Sequence, residues 1–137
     1  MKKIILIFLF LLPLNLFAKS EFFKDGISLY NKNKFEDAKF KFEQDLVYNP
    51  KSELSYLYLS KIFNKQDKKE LEEKNLKTVI LLNPKNEEAI YNLAKLKLSS
   101  SDYNKSKELN EILKSVCIKL CSQSDKLKIE IKNLSKK

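Results

Sequence analysis

Apolar residues recur at helical spacing along most of this chain, and short polar turns interrupt them at matching intervals. The turns lie at residues 31–33, 64–67 and 99–102 and consist of Asn, Lys, Gln, Ser and Asp. Pro50 and Pro84 are 34 residues apart and keep the same register relative to these turns. A period of this length predicts supersecondary units that bury their apolar faces only by stacking on their neighbours.

Each unit is predicted to hold two helices, one on either side of its polar turn. The residue before a proline is pushed out of helical geometry, so Pro50 and Pro84 mark the ends of the second helices in the first two units. Small residues occur at equivalent places, which predicts that paired helices approach closely. They are Gly26, Ser60, Ala94, Ala38 and Ser106. Glu72 stands where a small residue is expected, which leaves close packing in the second unit undecided.

The C-terminal part of the chain follows a different pattern. An apolar stripe predicts one helix from about Asn104 to near Cys121. The stripe consists of Leu109, Leu113, Val116 and Leu120. A last segment, residues 125–134, follows Ser124 as a candidate N-cap. Its apolar residues alternate, which suits a strand as well as a helix, and we favour a helix that covers the open end of the stack because no partner strand is evident.

The repeated units resemble the tetratricopeptide repeat, whose pattern runs from an aromatic residue through small residues to a final proline. The first unit carries Phe22, Gly26, Leu29, Ala38, Phe42 and Pro50 at these spacings. The second carries Tyr56, Leu59, Ser60, Phe63, Leu76 and Pro84, and the third Ile90, Leu93, Ala94, Tyr103 and Ser106. The resemblance implies an all-α fold, a right-handed superhelical stack of helix-turn-helix hairpins. We place the repeats at about 19–52, 53–86 and 87–120 and a C-terminal capping helix at 121–137.

The resemblance also implies that the first helix of each unit lines a concave groove that holds an extended peptide or a partner helix. Aromatic and lysine side chains are typical of such binding surfaces. The predicted groove residues are Tyr30, Tyr58, Lys61, Asn64, Tyr91, Asn92 and Lys95. For Phe23, Ile27 and Leu57, an inter-repeat core position is an equal alternative. A branch of the family grips chaperone C-termini with a basic and asparagine clamp, which is absent here because only Asn92 matches it.

The N-terminus predicts a secretory signal peptide over residues 1–20. Two lysines precede an apolar run, and small residues follow it, so cleavage is expected after Ala18 or after Ser20. An uncleaved anchor is the alternative, but Pro13 and Asn15 interrupt the run before it reaches the length of about 20 residues that spans a bilayer. We therefore expect a periplasmic protein without a stable membrane span after cleavage.

Cys117 and Cys121 are the only cysteines, and export would place them where disulfides form. On an intact helix their Cβ atoms would be about 5–6 Å apart, too far for a bridge. A bridge forms only if the helix frays near Lys119, and it would then staple the C-terminal end. Two cysteines without histidine cannot complete a four-ligand zinc site, so no metal is predicted.

Composition excludes several classes of function. The chain has no histidine and one glycine, so the commonest general base and the phosphate-cradling loop are both missing, and we predict neither catalysis nor a cofactor. The net charge is +9, and acidic residues interrupt the lysines along every helix. This pattern favours a solvated face and predicts no nucleic-acid binding.

Taken together, these features predict a non-enzymatic scaffold that binds a protein or peptide in the cell envelope. The alternative is a basic envelope protein that binds anionic lipid or polymer through its lysine surface. A homo-oligomer also stays open, since three repeats with open ends can stack on a second copy.

Overall fold

The computed structural model describes residues 20–136, so the predicted signal peptide up to Lys19 lies outside the described residues. Seven helices make up this part of the chain. They are α1 (Glu21–Asn31), α2 (Phe35–Tyr48), α3 (Glu53–Lys65), α4 (Lys69–Leu82), α5 (Glu87–Ser99), α6 (Tyr103–Val116) and α7 (Cys121–Leu134).

Consecutive helices pair as antiparallel hairpins, α1 with α2, α3 with α4 and α5 with α6, and each hairpin packs on the next. Helix α7 packs on α6 and touches α5, so it covers the end of the stack. The predicted all-α stack of hairpins with a C-terminal capping helix is confirmed. Within residues 20–136, no helix is both long enough and apolar enough to cross a bilayer.

The turns inside the three hairpins share one backbone conformation. Asn33, Asp67 and Ser101, spaced 34 residues apart, have φ values of 58°, 52° and 60°. Short polar side chains tolerate this left-handed region better than bulky ones, which explains why polar residues occupy the end of each turn. The regular turns in the sequence therefore reflect a repeated backbone geometry.

Small residues let the helices of each hairpin approach closely. A Cβ atom placed on Gly26 would lie 2.7 Å from the ring of Phe42, which is itself fully buried. The equivalent residues Ser60 and Ala94 are also buried. The close approach predicted from these small side chains is therefore a property of the folded hairpins.

The apolar core falls into two clusters. The first joins α1 and α2 to one side of α3 and contains Phe23, Ala38, Phe42, Leu59, Ile62 and Phe63. The second runs from α3 through α7 and includes Leu76, Val79, Ile90, Leu113, Leu127 and Ile131. Leu57, on the other side of α3, belongs to this second cluster, so α3 contributes to both cores.

The prediction for the junction of α6 and α7 was wrong in its boundaries. Helix α6 ends at Val116 rather than near Cys121, because Cys117 is extended, with φ −66° and ψ 140°. Helix α7 begins at Cys121, so Ser124 is not its N-cap but a buried residue that donates to the Asn110 side chain at 3.0 Å. The helical alternative for residues 125–134 is confirmed over the strand.

A distant carboxylate binds the backbone of the linker between α6 and α7. Glu87, at the start of α5, accepts hydrogen bonds from the backbone N–H groups of Lys119 at 2.9 Å and Leu120 at 2.7 Å. These backbone bonds, led by that of Leu120, hold the pKa of Glu87 below its ordinary value. The linker that they shape brings Cys117 and Cys121 together as a disulfide with Cα atoms 5.3 Å apart. A local apolar stripe carries no information about this contact.

Candidate functional site

A concave cavity of about 640 Å³ lies along the first helices of the repeats. Six of the seven predicted groove residues line it: Tyr30, Lys61, Asn64, Tyr91, Asn92 and Lys95. Four charged residues outside the predicted set also line it, namely Lys65, Asp67, Lys69 and Glu72. We call this surface the groove. It combines aromatic, amide and charged side chains contributed by consecutive repeats.

Tyr58, the seventh predicted residue, is half-buried and packs against the first core cluster beside the residues that line the cavity. Its ring stacks on Phe42 at a centroid distance of 5.1 Å and meets Phe23 edge-on at 6.1 Å. Tyr30, which does line the groove, packs edge-on against it at 5.1 Å. Tyr58 therefore supports the groove through Tyr30, because its ring packs between Tyr30 and the first core cluster.

Phe23, Ile27 and Leu57, for which a core position was the alternative to the groove, differ in burial. Phe23 and Leu57 are each only 4% exposed and belong to the core. Ile27 is half-buried and packs against the first cluster. Burial also raises the pKa of Tyr30, with a smaller opposing effect of Lys61, so its phenol stays protonated and can donate a hydrogen bond in the groove.

Three of the four groove lysines already have partners within the chain. Lys61 Nζ lies 2.7 Å from Glu88 Oε1 and sits over the Tyr58 ring at 4.8 Å. Lys95 Nζ lies 3.4 Å from a Glu130 carboxylate oxygen on α7. Lys65 Nζ sits over the ring of Phe35 at 5.1 Å. The groove is therefore less positive than its lysine content indicates.

Comparisons with known proteins bear on this fold. No family model and no curated protein matches the sequence. The solved type III secretion chaperone SycD of Yersinia enterocolitica, in complex with a peptide of the translocator YopD, superposes with a TM-score of 0.77 at 15% identity, over 85% of this chain and 92% of SycD. The first TPR domain of Spaghetti (RPAP3), bound to an HSP90 peptide, gives 0.75 at 11% identity, over 85% and 91%. The TPR2B domain of yeast Sti1, in its pHsp70 complex, gives 0.76 at 13% identity, over 83% and 95%.

The chain has the tetratricopeptide-repeat fold. At these identities the likeness concerns the fold alone. Each hairpin of the stack lies inside one of the repeats predicted from the sequence.

Glu72 departs from the tetratricopeptide pattern and turns out to be part of the groove. Its equivalents Ala38 and Ser106 are small and fully buried, whereas Glu72 is 4% exposed and lines the cavity. Both of its carboxylate oxygens lie 3.1 Å from the side-chain nitrogen of Asn64. Burial raises the pKa of Glu72, and the Asn64 hydrogen bond and the charge of Lys69 only partly oppose that shift.

The sequence contains a signal at Glu72, but that signal alone leaves the packing of the second unit undecided and does not indicate a groove residue. A charged residue in a slot for small side chains must either disrupt the hairpin or extend past its partner helix. The structure shows that it reaches Asn64 on α3, so the second hairpin gains a carboxylate at the base of the groove. Asp67 and Lys69 gave no such signal, because turn and helix-start residues are polar in all three hairpins.

The remaining candidate chemistry lies outside the groove. Cys117 and Cys121 close the linker between α6 and α7 and do not line the cavity. In the part of the chain that the structure describes, no three His, Cys, Asp or Glu side chains gather as metal ligands. The groove therefore offers hydrogen bonds, charges and aromatic surface, which are the means of recognising another chain.

Proposed function

We propose that this protein is a non-enzymatic, exported scaffold that binds a peptide or a partner helix in its groove. The observation that carries the proposal is the groove itself, in which six residues predicted from the repeat pattern surround one concave space of about 640 Å³. Tyrosine, asparagine and lysine side chains on a concave helical surface suit recognition of a peptide.

The similar structures support the same kind of partner. SycD is described in complex with a peptide of YopD, and the RPAP3 domain is described bound to an HSP90 peptide. The shared fold makes peptide binding the natural use of this groove. The partner of this chain is a separate question, since the identities of 15% and 11% are too low to carry a ligand across.

We further propose that the protein works in the cell envelope, in the periplasm. The support comes from the signal-peptide features of residues 1–20 and from the disulfide between Cys117 and Cys121, a bond that persists in oxidising compartments. Fractionation of cells that express the full chain tests this. Recovery of a shortened, disulfide-bonded protein in the periplasmic fraction is expected, and recovery of the full-length, reduced protein in the cytoplasm would contradict it.

The groove is tested with the protein purified from that fraction and a phage-displayed library of random dodecapeptides. Peptides selected at physiological salt should change their affinity by about 10-fold or more in a Lys95→Glu variant, because the variant reverses a charge in the groove. A Lys74→Glu variant is the matched control, because Lys74 is equally a solvent-exposed lysine but does not line the groove.

The result also separates the two functions under consideration. Equal loss in both variants, together with loss of binding at moderate salt, would contradict groove binding and favour the lysine surface as a site for anionic lipid or polymer. A selection that yields no peptide would also count against the proposal.

A further inference from the structure

We propose that the groove recognises a positively charged side chain, arginine or lysine, of its partner, with Glu72 as the residue that determines this specificity. The inference rests on the proposed function and names the chemistry of the segment that the groove receives. It assigns a role to a residue that breaks the repeat pattern.

The carboxylate side chain of Glu72 is buried. A carboxylate taken out of water needs hydrogen-bond donors or an opposite charge, and it has room for about four hydrogen bonds. Within the described residues Glu72 receives hydrogen bonds from one group, the side-chain amide of Asn64. Because the side chain lines the cavity, its remaining acceptor capacity is directed to whatever occupies the groove.

The charged groups that line the groove are only partly paired within the chain. Lys61 and Lys95 are paired with carboxylates, and Lys65 lies over an aromatic ring. The remaining charged groups that line the groove are the carboxylates of Asp67 and Glu72 and the ammonium of Lys69. This end of the groove therefore presents the carboxylates of Asp67 and Glu72 together with the ammonium groups of Lys69 and of Lys65, which keeps its charge over the ring, and among these four only Glu72 is buried.

A cationic side chain fits the end of the groove that Asp67 and Glu72 line. A guanidinium donates two parallel N–H bonds to one carboxylate, and such charge-assisted pairs are stronger than neutral hydrogen bonds. Tyr30 and Tyr91 line the same groove and offer ring surface to the apolar stem of a long basic side chain. An acidic segment would instead place a third carboxylate beside Asp67 and Glu72.

The test uses the dodecapeptides selected by the wild-type protein from the random library. Arginine or lysine should be enriched at one position of the selected peptides, and replacement of that residue by alanine should weaken binding about 10- to 100-fold. Glu72→Gln keeps the size and the Asn64 contact but removes the charge, so it should weaken binding of the parent peptide by a similar factor. Glu72→Gln should bind the alanine peptide as the wild type does.

Two further variants guard against a trivial loss of folding. Glu72→Ala restores the small residue found at the equivalent positions 38 and 106, so it should unfold at the same or a higher temperature while losing the preference for a basic residue. Glu70→Gln removes an exposed carboxylate that does not line the groove and should leave binding unchanged.

Each outcome bears on a different statement. Peptides that bind the wild type without a basic residue, or whose basic preference survives in Glu72→Gln, would overturn this inference and leave groove binding intact. Failure to select any peptide would overturn the proposed function and this inference with it.

Discussion

Two neighbouring interfaces occupy equivalent places in the stack, α2 on α3 and α4 on α5, and have opposite chemistry. Where α2 meets α3, the carboxylate of Asp45 is only 1% exposed. It accepts hydrogen bonds from the hydroxyl groups of Ser20 and Ser55, and from the side-chain amide of Asn49 at 2.9 Å. Burial raises the pKa of Asp45, but these hydrogen bonds outweigh it, so the pKa lies below its ordinary value.

The next interface, where α4 meets α5, contains no such network at the equivalent positions. Val79 replaces Asp45 and Ala89 replaces Ser55, each 34 residues later, and both are fully buried. The two solutions show that the stack requires compatible pairs rather than particular residues. A buried carboxylate is tolerated when its neighbours are donors, and an apolar residue when its neighbours are apolar.

The largest effect on stability is expected when a carboxylate is placed in the apolar interface between α4 and α5. Val79→Asp buries a carboxylate beside Ala89, which has no side-chain donor, so it should destabilise the protein by about 4 kcal/mol or more. Urea unfolding followed by circular dichroism measures this, with Val79→Thr as a control of similar shape. If Val79→Asp and Val79→Thr unfold at the same urea concentration, the second interface does not depend on apolar pairing.

A smaller loss is expected when the polar interface loses its acceptor. Asp45→Ala leaves the hydroxyls of Ser20 and Ser55 without their carboxylate, at a cost of about 2–3 kcal/mol. The double variant Asp45→Val/Ser55→Ala copies the second interface and should recover most of that loss. The free energies of unfolding of the two variants test this recovery. A double variant less stable than Asp45→Ala would show that the residues of one interface cannot replace those of the other.

The hairpins of the two repeats also differ at their closest approach. Gly26→Ala places a methyl group against the buried ring of Phe42, so overpacking of about 1–3 kcal/mol should exceed the helix-propensity gain of about 1 kcal/mol. Ser60→Ala, at the equivalent position of the second repeat, removes only a hydrogen bond to the Leu57 carbonyl and should cost less. Thermal unfolding of both variants tests the difference. A Gly26→Ala protein that melts above the wild type would refute it.

The smallest effect concerns pH. Because the pKa of Asp45 is lowered on folding, its contribution to stability is present above the unfolded pKa of about 3.9 and is lost as the pH falls through the folded pKa. The stability difference between the wild type and Asp45→Val/Ser55→Ala should therefore shift in favour of the double variant below about pH 4. Urea titrations at pH 7 and in acid measure the free energies of unfolding of both proteins. If their difference is the same at both pH values, Asp45 makes no pH-dependent contribution to stability.

The candidate site was predictable to the extent that it follows the repeat. Tyr30, Tyr91 and Lys95 could be placed in the groove because equivalent positions of a repeated hairpin face the same way. Tyr58 occupies such a position too, but its half-buried ring packs against Phe23 and Phe42 of the first repeat. Glu72 could not be assigned, because its direction depends on the pairing with Asn64 across the hairpin.

The sequence alone determined the 34-residue period, the turns and the helix pairs, since these depend on spacing within one unit. The tertiary structure decided the rest. Glu87 accepts backbone hydrogen bonds from a linker more than 30 residues away, and the same linker holds the disulfide between Cys117 and Cys121. Asp45 becomes acceptable only when donors from two other segments surround it. Such contacts join positions with no local relation, so periodicity within a helix cannot reveal them.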